Sequence, residues 1–229
     1  ERQANDMFPL RDTASSRRVP IATLSLIIIN TVISLNQLIM PPDEALKMVL
    51  TYSFIPARLL AGWKDPMSYI PLFTSMFLHG NFSHLISNMW SLWLFGDNVE
   101  DYMGPIRFLI FYVLTGLIAG IAHFAFNPLL TVPTVGASGA IAGVMGAYFM
   151  MFPFARIITL IPFFPFIIRV PASIFLLIWF ITQVNSGIMS GISGNVIGGV
   201  AWWAHIFGFI AGALLYKKFV RKKKYVYYY

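Results

Sequence analysis

Among the polar side chains on stretches of this chain apolar enough to lie in a bilayer, six stand out: His79, His84, Asn88, His123, Ser138 and His205. A polar group in lipid is costly unless it has a structural partner or a chemical task, so each is a candidate for function. Their types narrow the chemistry. Beyond Asp101 the chain carries no aspartate or glutamate. That removes paired-carboxylate hydrolysis, a carboxylate proton relay and an acidic third member for a Ser-His-Asp arrangement from the second half of the chain. There is no cysteine either, which removes thiolate nucleophiles, disulfides and Cys-ligated zinc. His79 and His84 are five positions apart, whereas a helical zinc-hydrolase site needs histidines at i and i+4 with an intervening glutamate. What remains is a serine with a histidine base.

Ser138 sits in Gly136-Ala137-Ser138-Gly139, at a predicted helix start after a proline-containing loop. Amides at a helix N-terminus point at developing negative charge, and glycine lets a substrate backbone come close. Small residues Gly139, Gly143 and Gly146 line one face of the helix that follows. Ala204, Gly208, Ala211 and Gly212 make a small face around His205. Two such faces allow close backbone packing, which would bring Ser138 Oγ within reach of His205. His84 and Asn88 are four apart and share a helix face, where they could donate hydrogen bonds to an oxyanion. Each feature also has a structural explanation. Ser and Gly are common in membrane-helix interfaces, Asn88 could cross-link helices, and His123 is read as structural.

The elements that must position these residues follow from composition. Of 229 residues, 58% are hydrophobic and 11% charged, with mean hydropathy +0.72. A soluble domain carries about a quarter charged residues, so lipid is the expected solvent. Apolar runs and Pro or Gly breaks predict an all-α, polytopic bundle of six spans. They lie at about 20–40, Phe73–Phe95 (closed by an acidic turn at Gly96–Asp101), Ile106–Phe126, a short helix from Ser138 to Pro153, Pro171–Val184, and a last helix after a glycine-rich loop at 185–199. Residues 1–19 are read as a polar cytoplasmic segment, 20–218 as one six-helix domain and 219–229 as a basic cytoplasmic tail. The net charge of +7 is concentrated at the two ends, which reads as a topology signal placing both termini in the cytoplasm rather than as a nucleic-acid footprint. The first apolar run is read as a retained helix rather than a cleaved leader.

These residues resemble the rhomboid intramembrane serine proteases over nearly the whole chain. The specific matches are His79-Gly-Asn-Phe-Ser-His84-Leu-Ile-Ser-Asn88, Gly136-Ala-Ser138-Gly139, and Ala204-His205-Ile-Phe-Gly208 followed by Gly212, with weaker support from Glu100, Trp179 and Gln183. The resemblance implies a six-helix core, Ser138 as nucleophile, His205 as general base and acid, and an oxyanion site made by Asn88, His84 and the Ser138 amide. It also implies single-span membrane proteins as substrates, cleavage without a cofactor, and residence in a plasma or inner membrane. Two departures stand out: Ile70-Pro71 where some members carry Trp-Arg, and Ala142 where an aromatic residue often stacks on the catalytic histidine. The alternatives are a client-binding quality-control protein that does not cleave, built on the same scaffold, and a small transporter. Retention of both Ser138 and His205 argues against the first. Confinement of the polar cluster to one half of the bundle argues against the second.

Overall fold

The computed structural model describes residues 8–14, 16–161, 166–193 and 200–221. The lead-in before residue 8, the tail after residue 221 and the end of the glycine-rich stretch lie outside the described residues. Six long helices form the bundle: α1 (Ile21–Ile39), α5 (Phe82–Met103), α6 (Pro105–Phe126), α7 (Ser138–Met151), α8 (Ala172–Ser193) and α9 (Trp202–Phe219). Three smaller helices, α2 (Pro42–Tyr52), α3 (Pro56–Ala61) and α4 (Ile70–Thr74), fold the connection between α1 and α5. By length and composition α1, α6 and α8 can each cross a membrane. They expose aliphatic rows such as Ile28, Val32 and Leu35 on α1 and Ile174, Leu177, Ile178 and Ile181 on α8. The other three long helices carry His84, Asn88, Ser138 and His205, while His123 lies on α6.

Helix α7 is the axis of the bundle. Every residue from Gly139 to Tyr148 is buried, so a helix that is apolar all round has protein on every side. With 14 residues it rises only about 21 Å, short of a ~30 Å hydrocarbon core. It packs against α5, α6 and α9. The contact with α9 has almost no spacer: Cβ atoms added at Gly208 and Gly212 would strike the carbonyls of Gly139 and Gly143, and one at Gly146 would strike the Phe209 carbonyl. Gly139 and Gly143 turn their own missing Cβ atoms toward Ala119 and Thr115 of α6. The small face anticipated for α7 thus splits, Gly146 facing α9 and the other two facing α6.

Three boundaries differ from the sequence expectation. The second spanning helix begins at Phe82 rather than Phe73, because Pro66, Pro71 and the extended Leu78 and His79 break residues 66–79 into short turns. Asn81 then caps the new start, its side chain accepting from the His84 amide at 2.8 Å. The acidic stretch Gly96–Asp101 is helical rather than a turn, and α5 ends at Gly104 with φ +78°. Helix α8 runs to Ser193, through residues read as loop, because glycine within a packed helix costs only ~1 kcal/mol and does not by itself end it.

Glu100, near the C-terminal end of α5, has a use that no local pattern shows. Its carboxylate accepts from the amides of Ala22 at 2.9 Å and Thr23 at 2.7 Å and from the Thr23 hydroxyl at 2.8 Å. Pro20, the cap residue of α1, offers no side-chain bond, so a carboxylate on another helix satisfies the orphan donors.

A three-stranded antiparallel sheet is the other departure from a purely helical reading. Strand β1 (Phe8–Asp12) pairs with β2 (Arg156–Ile161), which pairs with β3 (Phe166–Pro171). Ile157 and Thr159 point inward and are fully buried, while Arg11 and Arg169 flank Ile158 across the outer face. On the inner face Asp12 accepts from Asn98 at 3.0 Å and from the Tyr148 hydroxyl. The Trp90 indole donates to the Pro9 carbonyl at 2.6 Å. The sheet thereby ties α5 and α7 to the strand that leads into α8.

Candidate active site

Three helices deliver the candidate side chains of the cavity: α5, α7 and α9. Ser138 is the first residue of α7 and His205 lies one turn into α9. The close α7–α9 packing brings them together: His205 Nε2 is 2.8 Å from Ser138 Oγ. The amides of Ser138, Gly139 and Ala140 belong to the first turn of α7 and have no carbonyl one turn back to bind. His84 and Asn88 stand on the facing wall, on α5. Asn88 Nδ2 is buried with no hydrogen-bond partner, a donor held ready in a site that offers it no acceptor.

Gly136 fixes the approach of the loop to α5. Its φ is +125°, and a Cβ there would sit 2.8 Å from His84 Cε1 and 2.9 Å from His84 Nε2. Only glycine lets this backbone turn while lying on the imidazole. The Gly136 amide donates to the Ser75 carbonyl at 2.9 Å, so the serine loop is anchored just before Ser138.

All of these groups line a cavity of about 880 Å³, room for water in the interior of the bundle. One wall is a polar stripe on α5, His84, Ser87, Asn88 and Ser91, at i, i+3, i+4 and i+7. The opposite wall is α8, which contributes Trp179, Thr182, Gln183, Asn185 and Ser186. Ser87 and Ser91 were legible from their helical spacing with His84 and Asn88. The α8 wall was obscured because residues after Val184 were read as loop.

His79 and His123 lie outside the reacting group. His79 precedes α5 rather than riding on it, is 2% exposed, and contacts Ser34 Oγ through Nδ1 at 2.9 Å. Its ring packs edge-on against His84 with centroids 5.2 Å apart, so it ties α1 to the ring next to the cavity. His123 holds the loop ahead of Ser138 through Thr134 Oγ1 at 3.2 Å. Ala142 is buried beneath the site, and aromatic support for His205 comes from elsewhere, with the Trp179 and Trp202 rings 6.1 and 6.2 Å away. Ile70-Pro71 forms the start of α4.

This site stands beside clear relatives. Residues 66–222 match the family profile described as "Rhomboid domain". A Bacillus subtilis protein named "Putative rhomboid protease YdcA" is 31% identical over 201 residues, covering 79% of this chain and 87% of that protein. The Bacillus subtilis rhomboid protease GluP is 43% identical over 76 residues, a stretch that makes up 14% of its length. The yeast mitochondrial Rhomboid protein 1 is 33% identical over 112 residues and 32% of its length. The 66–222 match contains α5 to α9 and every candidate residue of the cavity, and on that ground the chain belongs to the rhomboid family.

Proposed function

We propose that this membrane protein is a serine endopeptidase that cleaves single-span membrane proteins within or near their spanning segment. Family membership supports a protease-type activity on membrane proteins. The observation that carries the finer reading is the 2.8 Å contact between Ser138 Oγ and His205 Nε2 inside a cavity that also holds the unpartnered Asn88 amide.

In this mechanism His205 Nε2 takes the Ser138 hydroxyl proton as Oγ bonds to the scissile carbonyl carbon. The carbonyl oxygen becomes an oxyanion held by Asn88 Nδ2, His84 and the Ser138 amide, groups that all line the cavity. The imidazolium then gives its proton to the leaving amine as the C–N bond breaks. That leaves an ester on Ser138, which a water deprotonated by His205 hydrolyses. The cavity supplies the water that this last step consumes. The enzyme works in a plasma or inner membrane with both termini in the cytoplasm, residues 20–218 forming the protease domain.

The test is labelling of detergent-solubilised protein with a fluorophosphonate, a reagent for activated serines. Labelling of the wild type that is lost in Ser138→Ala and in His205→Ala is the expected result. A wild type that does not label overturns the protease reading in favour of a client-binding protein on this scaffold.

A further inference from the structure

His205 has a second partner, and its identity follows from a chain of forced assignments. Gln183, on α8, places Oε1 2.8 Å from His205 Nδ1. Gln183 is only 5% exposed, and protein groups meet both ends of its amide. Its Nε2 end lies 3.3 Å from the Trp179 carbonyl and 3.1 Å from Thr182 Oγ1. A backbone carbonyl can only accept, so the group facing Trp179 must be the NH₂. The Thr182 hydroxyl donates to that same carbonyl at 2.6 Å, which leaves its oxygen free to accept from Gln183. The amide oxygen therefore faces His205.

An amide oxygen can only accept, so His205 must carry its proton on Nδ1. Nε2 is then the bare nitrogen, and it is the one that faces the Ser138 hydroxyl. With the other tautomer two acceptors would meet at 2.8 Å on one side of the ring and the serine proton would have no acceptor on the other. The two ring nitrogens of His205 meet Gln183 and Ser138, not a carboxylate.

From this geometry we infer that Gln183 is a positioning residue that fixes the tautomer and orientation of His205, making the working unit Ser138-His205-Gln183 rather than a serine-histidine pair. This rests on the protease reading above for its consequence, though not for its geometry. A neutral amide holds the ring and stabilises the imidazolium less than a carboxylate would. It is also carried by α8, the far wall of the cavity, so base and nucleophile are fully aligned only while α8 stands against α9.

Two measurements test it. The first uses the unaltered protein: the chain has four histidines, so a nitrogen-15 spectrum of histidine-labelled protein is simple, and His205→Ala identifies the relevant signal. A neutral His205 protonated at Nδ1 is expected; protonation at Nε2 overturns the inference whether or not the protein proves to be a protease. The second compares fluorophosphonate labelling rates of wild type and Gln183→Met, a side chain of similar length that offers no amide oxygen. A rate lower by about 10- to 100-fold, the range seen when a group orienting an imidazole is removed, is expected with the thermal midpoint unchanged. Gln183→Glu, which restores an acceptor oxygen, should recover most of that loss. Equal rates in wild type and Gln183→Met overturn the inference and leave the protease reading standing, whereas failure of the wild type to label removes that reading and leaves the tautomer result intact.

Discussion

In the proposed mechanism Ser138, His205 and Asn88 take their tasks from their surroundings. The serine hydroxyl has a base at 2.8 Å, and the base has an acceptor behind it at 2.8 Å. Asn88 has the opposite situation, a buried Nδ2 with nothing to bind. Because it gives up no internal hydrogen bond, Asn88→Ala separates catalysis from stability. Cleavage of a membrane substrate should fall by about 10²- to 10³-fold, the scale of losing one oxyanion donor, while the thermal midpoint stays within a degree or two or rises. A large drop in midpoint with cleavage intact would make Asn88 a cross-link between helices instead.

At the scale of elements, the α7–α9 contact determines whether serine and histidine meet at all. Backbone carbonyls of α7 occupy the space that side chains would take at Gly208 and Gly212, and a backbone cannot rotate out of the way as a side chain can. Gly212→Ala, which is two turns from the chemistry, should therefore push the helices apart, cost about 1–3 kcal/mol and reduce fluorophosphonate labelling of Ser138. Gly191→Ala on α8 supplies the comparison, since a Cβ there has nothing within 4 Å. Its stability should not fall, and helix propensity should raise it by up to about 1 kcal/mol. If both substitutions behaved alike in a thermal melt, backbone contact would not be what holds α7 to α9.

For the whole molecule, two long-range connections bind the bundle: Glu100 capping α1 and β1 joined to β2. Burial of Asp12, with Asp97 nearby, pushes its carboxyl up from 3.8 to about 6 despite the hydrogen bond from Tyr148. The sign follows from linkage. Between pH ~4 and ~6 the unfolded chain has lost this proton and the folded one retains it, so stability falls as pH rises through that window and levels off above it. Asp12→Asn should flatten that part of a melting-temperature profile, and an unchanged slope would assign it to other groups. The proposed topology is open to a direct check because the chain lacks cysteine. A cysteine at Lys64 should react with an impermeant maleimide on intact cells, and one at Lys218 only after the membrane is opened; the reverse pattern would invert the proposed orientation.

The apolar content, the charge placement and the absence of acidic residues beyond Asp101 determined the membrane setting and the short catalogue of possible chemistry. They are sums over the chain and need no contacts to be read. Pro and Gly breaks gave the start of α7 and the ends of α6 because those residues restrict the backbone locally. Sequence spacing put His84 and Asn88 on one helix face, and the resemblance supplied the roles of Ser138 and His205. Tertiary structure alone decided the rest. The sheet needs Phe8–Asp12 to meet residues 157–160 across most of the chain, and no local pattern encodes that pairing. Glu100 reads as part of an acidic turn until α1 arrives with unsatisfied amides. Gln183 looked like one polar residue near the end of a helix until Trp179 fixed its amide and His205 met its oxygen. Hydrogen-bond roles are settled by partners, and partners distant in sequence exist only once the chain has folded.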